Sequence, residues 1–182
     1  GIAFDSNDDL YVVDTMNHRV QKFTRSGRYL MSWGSHGVAD GEFDMPWGIA
    51  IDEVDDVYVS DWRNDRIQKF TADGEFIFKI GGSGSGDGEF NRPSGVAVEG
   101  EGNVYVAGWT GGVLPDQVSA GMEDAFLRKY APGGTELWTR QFSYPDSSDA
   151  ADSVAVDAEG NVYVAGSTQI TSEVMMGGGE RR

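Results

Sequence analysis

Residues 9–23 read DLYVVDTMNHRVQKF and residues 56–70 read DVYVSDWRNDRIQKF, nearly the same fifteen letters 47 positions apart. A chain that writes one passage twice is stacking copies of one supersecondary unit, because a single copy cannot bury its own apolar residues. The echo extends well beyond those letters. Gly1-Ile2-Ala3-Phe4-Asp5 returns as Gly48-Ile49-Ala50-Ile51-Asp52, as Gly95-Val96-Ala97-Val98-Glu99 and as Ser153-Val154-Ala155-Val156-Asp157, at spacings of 47, 47 and 58. Each is followed by a polar turn (SNDD, EVDD, GEGN, AEGN) and a second apolar run, LYVVD, VYVSD, VYVAG and VYVAG.

In the first two units a third run follows, RVQKFT and RIQKFT, then a Gly turn and a fourth run, RYLMSWG and EFIFKIG. Short β-branched and aromatic runs punctuated by Gly and Asp are strands of a meander. No sustained helical period occurs. The runs are apolar on both faces, as suits a small sheet held between two others. Four short strands per unit of 40–50 residues, repeated, build the blades of a β-propeller.

These residues carry a resemblance. GEFDMPWGIAID with DVYVSDWRNDRIQKFTADGEF resembles the NHL repeat over about residues 1–100, and GDGEFNRPSGVAVE carries the pattern into the third unit. From Asn103 the text changes. GNVYVAGWT, DAFLRKYAPGGTELWTRQF and DSVAVDAEGNVYVAGST are similar to the bacterial SBBP-type propeller repeat, over about 95–170. The expected fold is all-β, a propeller segment of four-stranded antiparallel blades spanning 1–170. It has about three and a half blades, at roughly 1–35, 48–82, 95–143 and a partial 153–168, with a disordered tail at 171–182. A propeller closes with roughly four to eight blades, so the expectation is an incomplete ring, either part of a longer chain or one that self-associates to complete it.

Composition narrows the partners. With 30 acidic and 14 basic residues the net charge is −16, which repels nucleic acid and offers no basic face. No apolar run reaches the roughly 18 residues of a membrane span. Cysteine is absent, which removes thiolate ligands and nucleophiles.

A meander blade has two rims. Turns joining strands one–two and three–four form the first, which is short and acidic here. Loops joining strands two–three and successive blades form the second, which is longer and more varied: DTMNH, DWRND, GSHGVADGEFDMPW, GGSGSGDGEFNRPS and an insertion near Trp109–Asp124. Function on repeat scaffolds resides in variable loops held by a rigid frame, so the second rim is the expected binding face. It carries Asn17 and His18 from the first unit, Asp61, Trp62, Arg63 and Asn64 from the second with Trp47 ahead of it, and Trp109 from the third. Aromatic platforms with carboxylate and amide groups suit a protein or carbohydrate ligand. The plainer reading of the same tryptophans is as wedges between blades, since large aromatics usually serve packing. Asp14 and Asp61, each five residues before an Arg, read as braces within their own blades, since a residue recurring in every unit is architecture.

Other signals fall short. DSNDD lacks the Gly and Glu positions of an EF-hand loop. GGSGSGDG has no following Lys-Ser/Thr, and no G-x-S-x-G elbow occurs. The two histidines, His18 and His36, do not make the three-His zinc site that the resemblance to NHL-type lyases would imply. No cofactor, metal set or catalytic residue is expected. The reading is a non-catalytic interaction scaffold, with a metal-dependent lyase or lactonase fragment as the alternative. The family resemblance implies a bacterial or archaeal, extracytoplasmic or secreted setting.

Overall fold

A computed structural model describes residues 1–86 and 88–170; the expected tail at 171–182 lies outside the described residues. Fourteen strands form four antiparallel sheets in chain order, three of four strands and one of two. The first sheet holds β1 (Ile2–Phe4), β2 (Leu10–Asp14), β3 (Arg19–Phe23) and β4 (Tyr29–Trp33). The second holds β5 (Pro46–Ile51), β6 (Val57–Asp61), β7 (Arg66–Phe70) and β8 (Phe76–Gly81). The third holds β9 (Pro93–Val98), β10 (Val104–Thr110), β11 (Asp124–Tyr130) and β12 (Glu136–Phe142). A hairpin of β13 (Ser147–Val156) and β14 (Val162–Ile170) ends the described chain. None of its helices is long and apolar enough to cross a membrane.

The sheets are propeller blades because they stack face to face, the second and third each packed between two neighbours. Side chains on a strand alternate between faces, and here each face feeds a separate core. Val57 and Val59 join Tyr11, Val20, Phe43 and Phe70 between blades one and two. Tyr58, between them in sequence, turns the other way and packs with Ile67, Phe90, Val106, Phe126 and Tyr130 between blades two and three. Tyr105, Ala107, Leu127 and Val154 fill the gap between blade three and the hairpin. The Phe of each GEF segment is a plug: Phe43 and Phe90 are fully buried in the first and second of these cores.

First strands line the axis, β1 beside β5, β5 beside β9, β9 beside β13. The repeated Gly at their start is dictated by this approach. A Cβ on Gly48 would lie 2.4 Å from the Ser94 carbonyl oxygen of the next blade, and one on Gly95 2.9 Å from Ser153 Cα. The fourth copy has Ser153, which is exposed and meets no further blade among the described residues. The arc stays open there and at its start, where Ile2 and Phe4 are exposed.

The first rim is held by one repeated cluster. Tyr11, Tyr58, Tyr105 and Tyr163 each donate a hydroxyl hydrogen bond to the acid that ends their own blade's first strand, Asp5, Asp52, Glu99 and Asp157. In three blades a lysine completes it: Lys22 lies 2.9 Å from Asp5, Lys69 3.2 Å from Asp52 and Lys129 2.8 Å from Glu99. Each ammonium also sits over its tyrosine ring, at 4.7, 4.9 and 5.0 Å. The second oxygens of Asp5 and Asp52 accept backbone N–H groups of the acidic turns, so those turns are ordinary side-chain-capped hairpins.

Burial pushes the Glu99 carboxyl up, but Lys129, Tyr105 and Asn103 outweigh it and hold it at about 2. Asp5 is likewise lowered, its burial being outweighed by Lys22 and two backbone N–H groups. Unfolded, such groups titrate near pH 4. The unfolded chain therefore takes up protons first as acid is added. Stability from these clusters is complete above about pH 4.5 and drains as the pH falls toward about 2. Thermal melts across that window are expected to show a falling midpoint, with Glu99→Gln flattening the slope; an unchanged slope in that variant would contradict the assignment.

Candidate functional site

The second rim is built from the loops after β2 and β6 and from the segments leading into β5 and β9. Both strand two–three loops are single 3-10 turns, Thr15–Asn17 and Trp62–Asn64, closed by a residue in the left-handed region, His18 (φ 53°) and Asp65 (φ 51°). An aspartate braces each turn. Asp61 accepts hydrogen bonds from Asn64 Nδ2 (2.9 Å), Arg66 Nε (2.8 Å), Gln68 Nε2 (3.1 Å) and the Asp44 backbone N–H (2.7 Å). Its side chain is 0 % exposed, and burial pushes its carboxyl up against the pull of those donors. Asp14 repeats three of the contacts, with Asn17, Arg19 and Gln21. It stays partly solvated, and the bond from Arg19 leads those that hold its carboxyl below the usual range. Asp61, Asn64 and Asn17 thus shape the rim from within it.

Four side chains gather beside these turns. The Arg92 guanidinium lies 4.4 Å from the Trp62 ring and 5.7 Å from the Trp109 ring, and Arg63 reaches Trp62 at 5.8 Å. One arginine therefore gathers the tryptophans of two blades into a single cation–π stack. Its backbone is pinned, with φ 56° and its N–H donating to Asp65 Oδ1 at 2.8 Å. Among the described residues neither Arg63 nor Arg92 pairs with a carboxylate. Trp47, half exposed, is placed elsewhere: it lines the axial opening of about 360 Å³ with Gly1, Ser94 and Asp152. The three tryptophans therefore divide between the stack and the axis.

Sequence reasoning missed Arg92, although its signal was present. Arg92 takes the place of Met45 one repeat on, just before the proline that opens the next first strand. It also missed a convergence around His18. His36 and Asp44 arrive from the blade-linking segment, so that the two imidazole rings meet edge to face at 4.5 Å and Asp44 Oδ1 lies 3.7 Å from His18 Nδ1 and 3.8 Å from His36 Nε2. These three could hold a metal ion.

Comparison with known proteins follows the same division of the chain. The family model described as NHL repeat matches residues 1–23 and 43–70, and that described as beta-propeller repeat, SBBP, matches 137–172. No curated protein gives a match. Among solved structures, hydrazine synthase of Kuenenia stuttgartiensis is similar at 13% identity and a TM-score of 0.61, over 87% of this chain and 39% of that one. Virginiamycin B lyase of Staphylococcus aureus is similar at 13% identity and a TM-score of 0.57, over 90% and 47%. The WD40 repeats of RRP9 are similar at 12% and 0.56, over 90% and 49%. The chain spans less than half the length of these structures, and at such identities the likeness shows the fold alone. The chain is an arc of β-propeller blades that opens in NHL repeats and runs into an SBBP-type repeat.

Proposed function

We propose that this arc is a non-catalytic interaction scaffold that binds a protein or a glycan on its second rim. The stack of Trp62, Arg92 and Trp109 carries the reading. It spans two blades, it rests on an Arg anchored by its backbone, and Trp62 and Arg92 stand on loops whose text varies while the strand text repeats, with Trp109 near the end of β10. Among the described residues neither its Arg92 guanidinium nor that of neighbouring Arg63 pairs with a carboxylate, on a chain of net charge −16. They suit a ligand that offers a carboxylate beside a sugar or aromatic face, since Arg and Trp are the residues that dominate binding hot spots. The metal-dependent enzyme reading needs ligands converging on the axis. Among the described residues lining that opening, Asp152 is the one carboxylate. The exposed faces at β1 and β14 suit further blades, from a longer chain or from a second copy.

Screening the protein on glycan and peptide arrays tests the scaffold directly. Acidic sugars or acidic peptides are expected among the ligands retained. Trp62→Ala and Arg92→Ala are each expected to weaken the best of them by tenfold or more, roughly the loss of one hot-spot side chain. Their melting points should move little, since both side chains are only half-buried and a solvent-accessible cation–π pair contributes about 0.5–1 kcal/mol. Ligands held equally well by both variants would move the binding face off this rim.

A further inference from the structure

We propose that His18, His36 and Asp44 form a site for a zinc-type divalent cation, set on the second rim between blades one and two. The site stands independently of the scaffold reading. Two imidazoles and a carboxylate are ligands that zinc accepts, and their ligand atoms all lie within 4.8 Å of one another. Ligands about 2.0–2.2 Å from one tetrahedral ion sit roughly 3.3 Å apart. The observed 3.7 and 3.8 Å to Asp44 Oδ1 thus need only a slight contraction, and His36, with its side chain 68% exposed, has room to turn.

Asp44 Oδ1 supplies a second observation. It is buried and, like Asp124 Oδ1, has no hydrogen-bond partner among the described residues. A buried acceptor left unsatisfied destabilises the fold, and a cation between it and the two imidazoles removes that cost. The backbone around it is fixed from both sides. The Asp44 N–H donates to Asp61 Oδ1 and its carbonyl accepts from the Arg63 N–H. His36 is bracketed by Phe43, which receives Gly37 N–H at its carbonyl and donates its own N–H to Ser35.

The internal repeat provides a control within the molecule. Forty-seven residues on, the same three places hold Asp65, Ser83 and Asn91. The blade needs an acceptor at the first of them, because Asp65 Oδ1 takes the Arg92 N–H at 2.8 Å just as His18 Nδ1 takes the Met45 N–H at 3.2 Å. It does not need an imidazole there, and it does not need one at position 36. The His–His–Asp set is therefore chemistry added to the architecture. Its longer bond to Met45 is the one an ion at His18 Nδ1 would displace. Three protein ligands leave a tetrahedral ion one open position, facing solvent beside His36, so the site is of the open rather than the closed structural kind.

Calorimetric titration of zinc into the metal-free protein is expected to show one saturable equivalent, and cobalt in its place a visible absorption band of tetrahedral type. His36→Ser removes an exposed side chain whose described contacts are with His18 and Asp44, so it should fold normally, and it should weaken zinc at least tenfold and abolish the band. His36→Ser combined with Asp44→Asn, the second blade's own residues, should do so further. Even the loss of a residue that only hydrogen-bonds a metal ligand weakens metal binding about 10–100-fold. No saturable zinc binding by the unaltered protein would overturn the site. So would equal binding by His36→Ser, which would place the metal on the acidic turns instead.

Discussion

Asp61→Ala is expected to lower the free energy of unfolding by about 3–5 kcal/mol, the range for removing one partner of a buried ion pair. Asp14→Ala, the same letter in the same motif one blade earlier, should cost about 1 kcal/mol. The local contacts are nearly identical, a carboxylate bridging Asn, Arg and Gln. Burial separates them. Arg66 and Asp61 are 6% and 0% exposed where Arg19 and Asp14 are 40% and 21%. The Arg66 guanidinium also donates to the carbonyls of Val38, Ala39 and Glu42, so the linking segment closes over the pair. Without Asp61 that charge stays buried against carbonyl dipoles and the more distant, half-exposed Asp40 carboxylate at 3.8 Å. A loss of this size is a large share of a domain's total of roughly 5–15 kcal/mol. Urea unfolding of both variants reads the difference, and equal losses would show that burial does not set the strength of this brace.

The second large effect belongs to Gly48. Alanine there would place Cβ 2.4 Å from the Ser94 carbonyl and 3.0 Å from Ser60 Oγ. The obstacle is backbone, which cannot swing aside as a long side chain can. Ser60 Oγ accepts the Gly48 N–H at 2.6 Å and donates to Ser94 O at 2.7 Å, so the same clash pries apart a hydrogen-bonded link between blades. Overpacking of this kind costs about 1–3 kcal/mol, and Gly48→Ala is expected at the top of that range, with Gly48→Val beyond it. Gly133→Ala, where nothing lies within 4 Å, serves as the control and should stay within about 0.5 kcal/mol. Similar melting points for the Gly48 and Gly133 variants would mean that the first strands do not meet at the axis as described.

These two positions also mark how far the sequence could be read. Strand, turn and blade order were legible because repetition puts the same apolar run at the same offset. The alternation of Val57, Tyr58 and Val59 is written in the letters themselves. So was the second rim, since it is where repeated text gives way to varied text. The burial of Asp61 was not legible, because it depends on a segment some twenty residues upstream folding back over it. Nor was the Trp62–Arg92–Trp109 stack, whose members lie in two blades and are joined by an arginine read only as part of a blade-linking loop. Trp47 carries the same letter as the other two yet faces the axis, a difference of strand placement rather than of residue type.

The sequence by itself determined the unit, its repetition and the residues each unit must bury, because those follow from local periodicity and turn chemistry. Only the tertiary structure decided which side chains share a surface. His18 and His36 are eighteen residues apart and belong to different loops. They meet because a Phe plug draws the linking segment down between two blades and carries His36 and Asp44 to the left-handed turn that holds His18. Contacts of that kind depend on how rigid units are packed together, and no pattern within one unit encodes them.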